Sequence, residues 1–480
     1  MARFRFKPRV TPLGSCPDPG ASVEGWLARL SGRAGIVSLD SAGGRPREFS
    51  LLAFDPLVEI GPADGVSSPA DLREFAARLE PEDGGDSLPG PFHGGFIGAL
   101  AYELGIEGEA LDLPRDAWDS PPVVGGLYCD FIVLDHASGE ATLVLGEDPG
   151  DGRAPWTQRR DGLLEALGHA GPSTAGRFVT VGELERRVSA RDHCARVERL
   201  RASIGVGDLY QANLAQSFSV RVEGDPVDLY RRLRRVNPAP FAAFQQWRFG
   251  ERRGALLSAS PELLVAFDGH TARTRPIKGT IARGLDADED RRRSADLLAS
   301  EKDLAELAMI VDLERNDLGR VAQVGSVRVE GFPSLESYAA VHHLVADVTC
   351  ETRPGVDAFD VLGALFPGGS ITGAPKIASM GVIAELEREG RGFFTGSLGF
   401  VDTRGHALFN ILIRTLVWRP LGARSEGEVR FHVGGGITWS SDAQAEQRET
   451  LDKGAALVAA LFPQGEVPEE FETRALYTAQ

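Results

Sequence analysis

The chain has 480 residues, 42% of them hydrophobic and 25% charged, a composition that suits a globular protein with more than one core-bearing unit. Its 69 acidic against 52 basic residues leave a net charge of −17, which repels nucleic acid and anionic membranes and argues against both as partners. No apolar run nears the roughly 20 residues of a spanning helix, and Met1–Lys7 lacks the apolar core of a signal peptide, so a cytoplasmic protein is expected.

Residues 1 to 145 alternate short β-type runs with turn clusters, including Gly35–Leu39, Phe49–Phe54 and Leu127–Leu134, with one helix predicted over Pro69–Leu79. In Pro91–Gly98 the glycines suit either close sheet packing or approach of the backbone to a ligand. The polar stretch Glu147–Gly152 and the Ala170–Gly176 cluster mark a boundary. The expected division is a strand-rich subdomain over 1–175, a larger unit over 176–465 and a tail over 466–480. The four cysteines, Cys16, Cys129, Cys194 and Cys350, include no Cys-x-x-Cys pair, as expected of reduced thiols.

Beyond the boundary, Val197, Leu200 and Ile204 share one face of a helix predicted over Ser189–Ile204, and a strand follows over Leu209–Val220. Leu263–Ile277 reads as a hairpin turning at Asp268-Gly269. Its second strand would deliver Lys278, set between Pro276 and Gly279, to a strand end, and the pairing would bring Glu262 near the amine. Helical spacing over Ser294–Leu318 places Asp303 and Glu306 on one face, and over Asp442–Leu461 it does the same for Glu446 and Glu449, with Lys453 one turn on. Two such faces are able to grip one hard cation, although most acid pairs at this spacing simply face solvent. Gly368–Gly373 leads into a helix without the Gly-Lys-Ser/Thr ending of a phosphate loop, so nucleotide binding is not expected, while capture of a carboxylate by backbone N–H groups is. Gly434-Gly435-Gly436 follows a strand and reads either as a carboxylate-holding loop or as a plain turn.

Three motifs carry a resemblance. Pro276-Ile277-Lys278-Gly279-Thr280, then Met309–Leu313 with Arg315–Gly319, then Phe366-Pro367-Gly368 with Gly373–Lys376 occur in the order found in the chorismate-utilising enzymes, which include anthranilate, isochorismate, salicylate and aminodeoxychorismate synthases. The resemblance implies an α+β sandwich of antiparallel sheets in two subdomains, with helices outside and the active site in the central cleft. It implies a Mg2+ ion at Asp303, Glu306, Glu446 and Glu449. Anthranilate synthases typically carry alanine at the position of Lys278, so the chain most resembles the aminodeoxychorismate synthase branch, in which this lysine attacks C2 of chorismate and Glu262 acts as general acid.

The same resemblance assigns substrate contacts to Gln211, Gly279, Thr280, His343, Ser370, Phe394, Arg414, Gly434, Gly435, Gly436 and Lys453. Gln211 stands where salicylate and isochorismate synthases have a lysine base, and an amide cannot serve as one. Phe394 stands where relatives commonly have tyrosine, which removes one expected hydroxyl. No cysteine lies in a Gly-x-Cys-x-Gly elbow, so ammonia is expected from a glutamine amidotransferase subunit. The expected reaction is amination of chorismate at C4, for 4-aminobenzoate and folate or for a specialised metabolite. An anthranilate or isochorismate synthase, or a non-catalytic regulator that binds chorismate or an amino acid, is the alternative.

Overall fold

A computed structural model of the chain describes residues 3–41, 49–82, 88–106, 111–147, 152–168, 178–338, 341–422, 426–463 and 467–471. The expected boundary segments 148–151 and 169–177, and most of the 466–480 tail, lie outside these residues. Among the described residues, two sheets of 14 and 10 strands form the centre, and strands from both sides of residue 175 share each sheet. Pairing is antiparallel except between Phe4–Ser15 and Leu79–Pro81.

Three of the four hydrophobic cores among the described residues show the layering. Val37, Leu51, Ile97, Val124, Leu256 and Phe400 come from strands of both sheets and fill the space between them. Leu307, Val311, Val361 and Leu362 bring the helices Glu301–Gly319 and Ala358–Leu365 onto the outer face of the smaller sheet. Leu27, Val227, Leu457 and Leu461 bring three further helices onto the outer face of the larger one. The result is an α+β sandwich with helices outside, as the resemblance implies.

Local chemistry explains the elements. Ser189, Ser300 and Asp442 each accept a backbone N–H near the start of a helix, at Asp192, Asp303 and Ala445. The cap at Ser300 also corrects an expectation. The helical pattern over Ser294–Leu318 is not one helix but two, Ala287–Leu298 and Glu301–Gly319. Pro69–Leu79 likewise shortens to a turn at Pro69–Asp71 and a helix at Leu72–Ala76, and then Leu79–Pro81 joins a sheet.

The main departure concerns runs that change sheets. Leu127–Leu134 is not one strand: Val123–Tyr128 belongs to the smaller sheet and Phe131–Asp135 to the larger. The stretch Phe409–Val417 breaks in the same way, between Ala407–Asn410 and Thr415–Pro420. A third crossover joins Arg252–Ser260 of the larger sheet to Leu263–Phe267 of the smaller. At these points backbone leaves one hydrogen-bond ladder before entering the next, and side chains there turn toward the gap between the layers.

Candidate active site

Two of the crossovers lie side by side and carry two of the expected residues. Glu262 follows Ser260 at one, and Arg414 precedes Thr415 at the other. Ser260 Oγ donates to Ile411 O at 2.5 Å, Ile411 N to Glu262 O at 3.1 Å, and Ala259 N to Arg414 O at 3.0 Å. Arg414 has φ +51, a left-handed conformation that a long side chain adopts only when its surroundings hold it there. The turn that carries Ser370 packs on the same place, since a Cβ on Gly368 would meet Ile411 Cδ1 at 3.0 Å and Leu264 Cδ1 at 3.3 Å.

Lys278 arrives from another direction. The hairpin with its Asp268-Gly269 turn is as expected, with Leu263 opposite Arg275. Lys278, however, is not at the end of its second strand. It lies within a third strand, Ile277–Ala282, opposite Leu344 of Val341–Glu351. The register slips between Lys278 and Thr280, where Gly279 has φ +74, a value suited to glycine. Thr280 Oγ1 is 2.8 Å from His343 Nδ1, and burial, with Arg414 next, lowers the pKa of His343 to about 3, so its ring is neutral.

Gln211, Gly434, Gly435 and Gly436 come together on two paired strands. The three glycines are not a loop, which corrects that expectation: they lie inside the strand Glu426–Ile437, opposite Ala215, Leu214 and Asn213. Each answers a different need. A Cβ on Gly434 would lie 2.6 Å from Leu214 O, so close strand packing requires it. One on Gly435 would face Glu446 Oε2 at 3.3 Å and Lys453 Nζ at 3.5 Å, and one on Gly436 would face Gln211 Nε2 at 2.7 Å and Lys278 Nζ at 3.3 Å. Gly435 and Gly436 therefore clear space for side chains converging from other elements. Gly373 and Ala374 are also taken up by strand pairing, with Ala212 and Gln211, so the glycine stretch before the Lys376–Glu387 helix is not an open cradle of N–H groups.

Electrostatics favours one pair of protonation states. Burial raises the Glu262 pKa, against the Ser370 hydroxyl, Lys278, the Ile277 N–H and Arg414. Burial lowers the Lys278 pKa, helped by Lys453 and opposed by Glu306, Glu262 and Glu449. Glu262 Oε1, Ser370 Oγ and both amide atoms of Gln211 are buried without a hydrogen-bond partner among the described residues. For Ser370 and Glu262 this means proximity without a well-formed bond. Unsatisfied buried polar atoms are costly, and a polar ligand in this cleft would satisfy them.

The four carboxylates expected to hold metal surround the outer end of the cleft. Ser441 Oγ donates to Glu446 Oε1 at 2.6 Å, Lys453 Nζ lies 2.8 Å from Glu449 Oε1 and 3.2 Å from Gly434 O, and Lys302 Nζ lies 3.8 Å from Glu306 Oε1. Asp303 is partly engaged, accepting from Ser300 Oγ at 2.5 Å. Burial works against the charge of Lys302, yet Glu306, Glu446, Glu449 and Asp303 together outweigh it and raise its pKa, so all four carboxylates act on one point. Among the described residues no three His, Cys, Asp or Glu side chains stand close enough, as placed, to hold a metal ion.

Phe394 stacks on His432 at 5.0 Å, with the Arg391 guanidinium 5.5 Å from its ring. Arg391 was not expected, and it braces the site. It donates to Asn213 O at 2.7 Å and Ile371 O at 3.0 Å, beside Gln211 and Ser370 in sequence, and Glu387 neutralises it. Glu103 Oε1 accepts from Arg391 N at 2.6 Å. Lys302 and Ser441 were also missed. The only signal for them was their position beside the paired acids.

The family model for chorismate binding enzyme matches residues 42–459, and the chain belongs to this family. It is 39% identical over 365 residues to aminodeoxychorismate synthase component 1 of Klebsiella aerogenes, covering 76% of each chain. It is 37% identical over 466 residues to anthranilate synthase component 1 of Streptomyces coelicolor, covering 92% of this chain and 87% of that one. Anthranilate synthase component I of Streptococcus pneumoniae superposes with TM-score 0.72 at 31% identity, over 85% of this chain and 92% of that one. The protein is thus a chorismate-utilising enzyme of the group that includes anthranilate, aminodeoxychorismate and isochorismate synthases. None of its helices among the described residues is long and apolar enough to cross a membrane.

Proposed function

We propose that the protein aminates chorismate at C4 to give 4-amino-4-deoxychorismate. One observation carries this reading: an amine held toward its neutral form, Lys278, shares the cleft with a carboxyl held toward its protonated form, Glu262. Lys278 Nζ bonds to C2 as both ring double bonds shift, C1=C2 to C1=C6 and C5=C6 to C4=C5, and the C4–O bond breaks, and Glu262 gives its proton so that the hydroxyl leaves as water. Ammonia then bonds to C4, both double bonds shift back, and the C2–N bond breaks with Lys278 leaving as the neutral amine. The surplus proton on the new C4 ammonium returns to Glu262, so the balance is chorismate and ammonia in, product and water out. Gln211 supports amination over hydration, because its amide cannot deprotonate water. Arg414, with its planar fork, suits a substrate carboxylate.

The all-carboxylate oxygens of Asp303, Glu306, Glu446 and Glu449 suit magnesium by their chemistry, and since no three stand close enough as placed, holding the ion would require them to draw together. Bound there, the ion would supply positive charge to a substrate carboxylate. Ammonia would come from a separate glutamine amidotransferase subunit.

Incubating the pure chain with chorismate, Mg2+ and an ammonium salt should give aminodeoxychorismate by mass, and glutamine should serve only once a glutaminase is added. Anthranilate or isochorismate as product overturns the assignment, and no turnover favours a binding regulator. Lys278→Ala should lose more than about tenfold in rate, about 1.4 kcal/mol of barrier, and Lys278→Arg should not restore it because guanidinium stays protonated. Amination by Lys278→Ala at the parent rate removes the covalent step.

A further inference from the structure

A cavity of about 480 Å3 lies away from the cleft, between Leu104-Gly105 of the N-terminal half and the Ala358–Leu365 helix. Leu104, Val321, Phe359 and Phe366 give it a buried apolar floor. Arg320 and Arg353, both exposed, stand on its wall. Arg353 donates to Arg320 O at 2.6 Å and to Ala322 O at 3.4 Å, which fixes the two residues as neighbours. Neither guanidinium has a carboxylate partner among the described residues. Asp360, on the same cavity, is already held by Arg73 at 2.6 Å, as is Asp357.

Asp317 acts on Arg320 but is already paired with Lys376 at 2.7 Å, so Arg320 and Arg353 carry positive charge that no carboxylate of their own balances. An anion supplies the missing charge, and the guanidinium fork suits a carboxylate. The floor suits an apolar ring, and the volume falls within the roughly 300–1,000 Å3 usual for small-molecule sites. The cavity also borders the catalytic turn. Gly105 lies directly against Pro367, where a Cβ would clash, and Phe366 on the cavity wall begins the segment that ends at Ser370.

We propose that this cavity binds a small ring-bearing carboxylate as an effector of the site at Ser370. The test uses 1-naphthoate, with 1-naphthamide as the neutral control, and calorimetry on the full chain. The parent and an Arg414→Ala variant, whose cleft is impaired, should bind naphthoate alike. Arg320→Ala should weaken binding at least about tenfold, Arg320→Lys should restore part of it, and the amide should bind at least about tenfold more weakly than the acid. The Arg320 side chain makes no hydrogen bond among the described residues, so unchanged circular dichroism and unchanged turnover without naphthoate certify the fold of that variant. Saturating naphthoate should shift the KM for chorismate in the parent and not in Arg320→Ala. Equal affinity of parent and Arg320→Ala, loss of binding in Arg414→Ala, or no binding by the parent overturns the site, and binding without a KM shift overturns the effector role.

Discussion

Gly436→Ala isolates the space shared by Gln211 and Lys278. The new Cβ would lie 2.7 Å from Gln211 Nε2, about 0.7 Å inside ordinary contact at 3.4 Å, and 3.3 Å from Lys278 Nζ. The backbone at Gly436 is not left-handed, so the methyl itself brings no conformational strain. Gln211 is buried without hydrogen bonds on its amide and is free to retreat from the methyl, which would shift it from its place beside Lys278 at Gly436. Displacement on the scale of 1 Å commonly costs up to 100-fold, so kcat/KM should fall about 10- to 100-fold, or ~1.4–2.7 kcal/mol, while the urea midpoint stays near that of the parent. Gly434→Ala gives the contrast. Its Cβ would meet Leu214 O at 2.6 Å, a backbone atom that moves only with its strand, so it should lose about 1–3 kcal/mol of stability. Steady-state kinetics and urea unfolding on both variants decide the matter. Parent kinetics in Gly436→Ala would refute the convergence of Gln211 and Lys278 on one substrate position.

With the Glu262 pKa raised and the Lys278 pKa lowered, both limbs of a bell-shaped kcat/KM profile should lie inside the range that free glutamate and lysine would give, and limbs at their ordinary values would count against the pair. Burial pushes the Glu103 pKa up to about 7, so folding favours its protonated form and stability falls as pH rises from the ordinary carboxyl range through about 7. Glu103→Gln should therefore gain up to about 3 kcal/mol over the parent at pH 8 and little at pH 4, as read by urea unfolding, and equal gains at both would refute the titration. Lys302→Met removes an ammonium 3.8 Å from Glu306 and should tighten Mg2+ binding measured by calorimetry, whereas an unchanged Kd would show that Lys302 does not compete for those carboxylates.

Much of this site was legible because its parts are local. The Asp268-Gly269 turn, the helix starts at Ser189 and Asp442 and the three-residue spacing of Glu446 and Glu449 all sit within a few residues of what they determine. The crossovers were not legible, because a strand that passes from one sheet to the other stays buried on the way. The bend after Cys129 holds Asp130, and Arg414 is the one charged residue of Phe409–Val417, but a lone charge in a β-type run reads equally as a solvent-facing position. Gly434–Gly436 misled for a related reason. Glycine signals permission for close approach, and sequence alone does not say whether a turn, a neighbouring strand or a converging side chain makes that approach. The bracing of Arg391 was hidden by distance, with Glu103 lying 288 residues earlier.

Arg414 stands at a joint, the point at which the chain passes from one layer of the sandwich to the other. Relative sliding of the layers is felt there, at the neighbouring joint at Glu262 and at the joint between Tyr128 and Phe131, because the ladders on either side resist shear. A carboxylate gripped by Arg414 while its ring sits against Lys278, whose strand lies in the opposite layer from Thr415, would tie the two layers through the ligand. Substrate would then act as a cross-brace, and part of its binding energy would be spent on stiffening the sandwich before any bond is made or broken.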